Sequence, residues 1–247
     1  MQAETAAKLI ALNRQFYQTF AVPFSTTRLR LQPGVHKLLD SFPETASILD
    51  LGCGNGNLAE ELLRRGWKGT YLGIDSSLPL LEVARQTCSG TENIEFLFAD
   101  LADPEWDRAD ITTAESRHDT HFDLILAFAV LHHLPGETTR LNLLRKARHL
   151  IDSKGRFIHS EWQFMNEPRL RLRIQPWETA GISPAELDPG DCLLDWRQGG
   201  YGLRYVHHFS SDELENLAAL AGFQVLDTFF SDGASGNLGL YQTWEAV

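Results

Sequence analysis

Three acidic residues and one glycine-rich turn are the parts of this sequence best placed to do chemistry. The turn lies within Ile48-Leu49-Asp50-Leu51-Gly52-Cys53-Gly54-Asn55-Gly56-Asn57-Leu58-Ala59, where a short apolar run enters alternating glycines and then opens a helix. Alternating glycines strip Cβ atoms from one side of a bend and permit positive φ, so a ligand can approach the backbone closely. The free N–H groups of the following helix then face that ligand. The spacing from Gly54 to Ala59 also fits the G-x-G-x-x-A dinucleotide fingerprint, so the glycines alone leave two cofactor classes open. Asp50, just before the glycines, favours a cation, because it would repel a pyrophosphate and can hold an amine. Asp75 ends the run Tyr71-Leu72-Gly73-Ile74 about twenty residues further on, the separation at which an acid binds ribose hydroxyls. Asp100 closes Ile94-Glu95-Phe96-Leu97-Phe98-Ala99, where it can accept from an adenine amino group. An amine, a ribose diol and an adenine in that order describe S-adenosylmethionine (SAM). The competing reading is an ordinary α/β domain with glycine for tight turns and aspartate for helix caps.

Histidines supply the next candidates. Ala127-Phe128-Ala129-Val130-Leu131-His132-His133 leaves the fourth predicted strand at its carboxyl end, where open α/β sheets bind their ligands. An imidazole there titrates near neutrality and can accept a proton from a hydroxyl or an amine; it can equally cap or pack against the next helix. The adjacent His207-His208 does not read as a metal site, because neighbours on an extended strand face opposite ways. No metal is expected.

The elements that must position these residues follow from periodicity. Apolar groups at Leu9, Ile10, Leu12, Phe16, Tyr17 and Phe20 predict a helix over 3–20 stopped by Pro23, and Pro33 starts a second over 33–39. From 45 to 162 the pattern alternates: strand 47–51, helix 57–66, strand 70–74, helix 77–88, strand 94–99, strand 122–128, helix 136–150 and strand 155–162. Such alternation predicts a parallel sheet with crossover helices on both faces. Residues 102–120 read as a polar surface excursion. Residues 163–208 show no clear periodicity and read as an irregular lid over the substrate. Within them Arg169, Arg171 and Arg173 alternate with leucines and would share one face of a strand. Ser210 opens a capped helix ending near Gly222, followed by strands 223–231 and 238–247.

The length of 247 residues suits one domain: a helical cap over 1–44, a cofactor-binding core over 45–162, the lid over 163–208 and a closing helix and hairpin over 209–247. The formal charge of −11 counts against a nucleic-acid partner, which normally meets a basic footprint. Cys53, Cys88 and Cys192 are too few and too scattered for a disulfide framework or a zinc site. No apolar run is long enough to span a bilayer and the N-terminus lacks a signal pattern, so the expected location is the cytoplasm, with no membrane partner.

The 50–57 block, Asp75, Asp100 and Phe122-Asp123-Leu124-Ile125-Leu126-Ala127 resemble the successive motifs of class I SAM-dependent methyltransferases over about residues 45–160. That resemblance implies an α/β fold with a Rossmann-like seven-stranded sheet, mostly parallel with a C-terminal antiparallel hairpin and helices on both faces. It implies SAM as cofactor across the carboxyl ends of the first, second and fourth strands. The implied contacts are Asp50, Gly52, Gly54, Gly56, Asn57, Asp75, Ser76, Asp100, Leu101, Ala127 and Phe128. Phe16-Tyr17, Phe20-Ala21, Phe24-Ser25-x-Thr27-Arg28, Ala129-Val130-Leu131-His132-His133 and Arg204-Tyr205-x-His207-x-Phe209 resemble, more narrowly, the tRNA methyltransferases that esterify 5-carboxymethyluridine at the wobble position. This implies a carboxylate acceptor, which at a pKa of about 4 attacks without a base, oriented by cations such as Arg28 and Arg204. Tyr17, Arg28, His132, His133 and His207 are its candidate catalytic residues, and a small activating protein subunit its candidate partner. The acidic balance suits a small-molecule O- or N-methyltransferase better, and a non-catalytic SAM-binding subunit is the reading without an enzyme.

Overall fold

The computed structural model describes residues 1–26, 30–108 and 121–247. Helices α1 (Ala3–Thr26) and α2 (Pro33–Leu39) precede β1 (Ile48–Leu51), and α3 (Asn57–Arg64), β2 (Tyr71–Asp75), α4 (Leu78–Thr87), β3 (Ile94–Phe98), β4 (Phe122–Phe128), α5 (Glu137–Leu150) and β5 (Ile151–Trp162) follow. After them come α6 (Pro168–Arg171), β6 (Ile174–Gln175), β7 (Asp191–Trp196), β8 (Gly202–His207), α7 (Ser211–Ala221), β9 (Phe223–Ser231) and β10 (Gly239–Ala246). The main sheet has seven strands in the order β3-β2-β1-β4-β5-β10-β9. Strands β1 to β5 pair in parallel, and β10 runs antiparallel between β5 and β9. This is the Rossmann-like class I methyltransferase sheet that the motifs imply.

Parallel strands need cover on both faces, which is why β1 reads as an unbroken apolar run. Ile48, Leu49 and Leu51 are all fully buried. On one face Leu144, Leu217 and Trp244 join a core with Leu49 and Leu72; on the other Leu38, Leu62 and Leu81 join Ile48 and Tyr71. The strand order reverses between β2-β1 and β4-β5, and the crevice at the carboxyl end of such a switch is the standing ligand site of open α/β sheets. Helix α7 behaves as its caps predict. The Ser210 side chain accepts from the Glu213 N–H, and Gly222 ends the helix at φ 84°.

Two expectations change. Helix α1 does not stop before Pro23 but bends and continues to Thr26, with Phe20 at φ −109° and ψ 16°. Pro23 has no N–H to donate back along the helix, and the geometry yields three residues earlier. The 163–208 segment is not irregular: β6, β7 and β8 form a three-stranded antiparallel sheet. Its strands escape a period-2 search because Leu193 and Leu194 are both buried, as are Tyr205 and Val206, so neither face of the sheet is wet. Arg169 and Arg171 lie on the short α6 rather than on a strand, and Arg173 pairs with Asp195 at 2.8 Å, so the three arginines form no shared track. The expected excursion falls largely at 109–120, outside the described residues. Among the described residues no helix is long and apolar enough to cross a membrane.

Helix α1 lies along β8 and is pinned there by Asn13. Its Nδ2 donates to the backbone oxygens of His133 and Tyr205, each at 3.1 Å, and its Oδ1 accepts the Tyr205 N–H at 2.8 Å. Asn13→Ala would strand the buried Tyr205 N–H, so a loss of about 1–3 kcal/mol is expected. Urea denaturation should show it as a lower midpoint at unchanged slope.

Candidate active site

A cavity of about 680 Å³ opens at the carboxyl edge of the sheet and takes in the three acids. Its floor is the turn after β1. Gly52, Gly54 and Gly56 all hold positive φ, at 76°, 56° and 78°, but they do so for different reasons. A Cβ on Gly52 would meet Val130 at 2.7 Å and one on Gly56 would meet Ala84 at 2.8 Å, whereas one on Gly54 would project into open space. Of the three, Gly54 alone leaves open space where a Cβ would stand, and Gly56, tucked under α4, does not border the cavity. The strand residue Ala127 is likewise buried in the core and set back from it. The other expected cofactor contacts, Asp50, Gly52, Gly54, Asn57, Asp75, Ser76, Asp100, Leu101 and Phe128, all border it.

Each acid is held by a different device. Asp50, 4% exposed, accepts a hydrogen bond from the Tyr71 hydroxyl at 2.5 Å. Burial drives its pKa up to about 7 against the pull of that hydroxyl, with the charge of Asp75 adding to the rise. Asp75 ties the glycine turn to the start of α4, one oxygen accepting the Gly54 N–H at 2.9 Å and the other the Ser77 N–H at 2.8 Å. Burial raises it too, opposed by those backbone donors. Asp100 accepts the Ala102 N–H at 3.0 Å and forms an ion pair with Arg14, which reaches over from α1. A carboxylate oxygen has two lone pairs, so every one of these acids keeps acceptor capacity for a ligand.

The opposite wall begins where β4 ends. Ala129 takes φ 60°, uncommon for a residue with a Cβ, and its N–H donates to Ser160 O at 2.9 Å. The turn then delivers His132 and His133 to the cavity. His133 Nε2 lies 2.8 Å from the Tyr17 hydroxyl, with the two rings edge to face. His132 is buried, with Nδ1 2.7 Å from Glu161 Oε2. Tyr17, His132 and His133 are thus brought together, while Arg28 lies outside the described residues.

His207 is not brought to this place. Its Nδ1 lies 2.7 Å from Asp191 and its Nε2 2.9 Å from Glu213, inside a buried network that includes Arg140 and Tyr205. That network ties β7 and β8 to α5 and α7, and His207 does not border the cavity. Among the described residues no cluster of metal-ligating side chains occurs.

Arg204, from β8, borders the cavity although only 5% exposed. Its guanidinium stands 4.9 Å from the Trp162 ring centroid, 5.4 Å from Phe16 and 5.7 Å from Trp196. Aromatic faces hold a desolvated guanidinium in place, a setting that suits the recognition of planar anions. Arg14 and Glu161 were not singled out from sequence. A carboxylate inside the apolar run Phe157-Ile158-His159-Ser160-Glu161-Trp162 was a usable signal for Glu161; an arginine on the solvent side of a helix gave none for Arg14.

The family model of the methyltransferase domain matches residues 24–228. The chain belongs to that family. It is 24% identical over 235 residues to the tRNA (carboxymethyluridine(34)-5-O)-methyltransferase of Schizosaccharomyces pombe, covering 86% of this chain and 89% of that one. A stretch of 75 residues is 40% identical to the trans-aconitate 2-methyltransferase of Acidovorax ebreus, covering 30% of this chain and 28% of that one. A SAM-dependent methyltransferase from Methanosarcina mazei superposes with a TM-score of 0.64 at 20% identity, covering 88% of this chain and 98% of that one, which shows the shared fold. This chain is a SAM-dependent methyltransferase, and the open face of Gly54 with a ring of acids suits a cationic nucleoside.

An Asp50 that holds the cofactor's amine must be ionised, and burial pushes its pKa up to about 7 in the protein without ligand. Calorimetry should therefore find SAM binding weaker by up to about tenfold at pH 6 than at pH 7.5, the protonated fraction accounting for the loss. Asp50→Asn should flatten that dependence. Asp75→Ala should lower SAM affinity by roughly a hundredfold or more, since each hydrogen bond to a charged acceptor contributes about 1.5–3 kcal/mol.

Proposed function

We propose that this enzyme methylates a carboxylate oxygen, forming a methyl ester, and that its leading acceptor is the carboxymethyl group of a modified wobble uridine in tRNA. The observation that carries the reading is Arg204, a buried cation in an aromatic cage at the wall of the cavity. A guanidinium there matches a carboxylate in charge and plane. The name of the Schizosaccharomyces pombe relative carries a carboxymethyl acceptor and that of the Acidovorax ebreus relative a polycarboxylic acid.

Asp50 would hold the amine of SAM, Asp75 the ribose hydroxyls and Asp100 the adenine amino group, with Ser76 and Leu101 beside the adenosine. Gly52, Gly54 and Asn57 would floor the site and Phe128 would stand between cofactor and acceptor. Bound SAM would supply a methyl group on a sulfonium, a transfer in which the C–O bond to the acceptor oxygen would form as the C–S bond breaks and the electron pair returns to sulfur. The protein's part is alignment and exclusion of water. A carboxylate is already ionised at neutral pH, so no base is required. Tyr17 and His133, locked to each other, would bound the acceptor's path, and Arg30 and Arg169 at the cavity would meet its anionic flank.

A second reading, a small free carboxylic acid as acceptor, is favoured by the charge of −11, which opposes a polyanion at long range. Labelled SAM offered with bulk tRNA, nuclease-treated tRNA and a small-molecule extract separates the two. Label in intact tRNA that mild alkali releases as methanol supports the leading reading; the same release from the small-molecule fraction alone supports the second. Alkali-stable label in every fraction would remove the carboxylate from both. Arg204→Leu should raise the acceptor KM roughly 10- to 100-fold and leave SAM affinity unchanged, because a hydrogen bond to a charged group contributes about 1.5–3 kcal/mol. Arg204→Lys should not restore it, a point charge being no substitute for a planar fork.

A further inference from the structure

Asp232 lies in the turn between β9 and β10, 8% exposed and bordering the cavity. Its backbone holds φ 71°, a left-handed conformation that suits glycine and that aspartate tolerates better than most residues. Both carboxyl oxygens are engaged: Oδ1 accepts the Gly34 N–H at 2.9 Å and Oδ2 accepts the Tyr241 hydroxyl at 2.5 Å. Gly34 is 198 positions away, in the first turn of α2, so one side chain joins the segment before the core to the closing hairpin.

That join stands in for a missing local cap. Gln32, at the N-cap of α2, makes no side-chain hydrogen bond to the helix, and the first N–H groups of a helix have no partner within it. Asp232 supplies the acceptor from across the fold. Two glycines leave room for it. A Cβ on Gly34 would stand 2.3 Å from the Tyr241 ring, and one on Gly239 would stand 2.6 Å from Asp232 Oδ2. The Tyr241 ring is backed in turn by Phe229, nearly parallel to it at 4.9 Å. The hairpin turn is itself tied to the chain after β5, the Gln163 N–H donating to Leu238 O at 2.7 Å and Asn166 Nδ2 to Asn237 O at 2.9 Å.

Gly239 and Tyr241 pair with Trp162 and Ser160 of β5. Strands β5 and β10 lie on the opposite side of β4 from β2 and β3, whose ends lead to Asp75 and Asp100. Leu31 and Val35 border the cavity from the α2 side, and Gly239 and Tyr241 from the hairpin side. We propose that Asp232 is a positioning residue: by capping α2 and holding the Tyr241 hydroxyl it closes the cavity wall between α2 and β10, on the side left to the methyl acceptor. The clasp stands on the geometry, and the side it serves rests on the cofactor placement proposed above. A wall meets the bound acceptor and the transition state alike, so its loosening falls on KM rather than kcat.

The test compares Asp232→Gly with Asp232→Asn in the full chain. Glycine is at ease at positive φ, so Asp232→Gly removes the carboxyl group without straining the turn. Asparagine also tolerates this conformation, and its amide can accept from Gly34 and donate to the Tyr241 oxygen. In the protein without ligand, 15N spectra should show the Gly34 amide exchanging with solvent about ten- to a hundredfold faster in Asp232→Gly and close to the wild-type rate in Asp232→Asn. With labelled SAM, Asp232→Gly should raise the acceptor KM about tenfold, with about a twofold change or less in kcat and in SAM affinity, and Asp232→Asn should recover most of the loss. Unchanged exchange at Gly34 overturns the clasp. Faster exchange with an unchanged KM, or a fall in SAM affinity as large as the rise in KM, overturns the positioning role. Should Asp232→Gly not fold, Tyr241→Phe removes one of the two bonds and keeps the ring, and an unaltered KM there overturns the role equally. KM is read on total label transferred to intact tRNA and to the small-molecule fraction, ester or not. Absence of alkali-labile product therefore counts against the carboxylate reading alone, and unchanged SAM affinity in Asp75→Ala counts against the cofactor placement.

Discussion

Burying a carboxyl group costs several kcal/mol unless the group is paired, hydrogen-bonded or protonated, and this fold buries Asp50 and Glu161 and half-buries Asp75 around one cavity. Each meets the cost differently. Asp75 takes two backbone N–H groups, Asp50 takes the Tyr71 hydroxyl, and Glu161 sits between two imidazoles. Asp50 stays poorly compensated, its pKa pushed up to about 7 by burial, and a bound cation would relieve it. The unmet electrostatic demand of these acids and the charge of the cofactor are thus complementary, which is a physical reason for the site to select a sulfonium nucleoside over a dinucleotide.

The wall that carries Arg204 shows the same economy with the opposite sign. Arg204 is enclosed by Phe16 from α1, Trp162 from β5 and Trp196 from β7. Three separate elements must come together before that cation has this environment. Helix α1 does most of the joining: Asn13 engages β8 and the His133 carbonyl, Arg14 reaches Asp100, and Tyr17 meets His133. The segment before the core is therefore part of the chamber wall, touching both Asp100 and His133. The small β6-β7-β8 sheet, bound to α5 and α7 through Arg140, Asp191, His207 and Glu213, is the other half of that wall.

The core order of strands and helices was readable from sequence because each element announces itself locally: apolar runs for β1 and β2, a proline start for α2, Ser210 and Gly222 around α7. The glycine turn was readable for the same reason, although its glycines do unequal tasks. Gly56 serves packing against α4, and only contact with Ala84 reveals it. The sheet in 163–208 was missed because burial on both faces erases alternation. His207 was misplaced because a motif carries residue order but not direction, and its side chain turns to Asp191 and Glu213.

Sequence alone determined the α/β alternation, the three acids at strand ends and hence the class of cofactor, since these depend on neighbours within a turn or a strand. Tertiary structure alone decided which side chains complete the chamber. Asn13 and Tyr205 are 192 positions apart, Arg14 and Asp100 are 86, and His132 and Glu161 are 29. Such pairings are set by how helices and sheets stack, and the free energy that makes them comes from excluding water over the whole core, which leaves no periodic trace in the residues that meet.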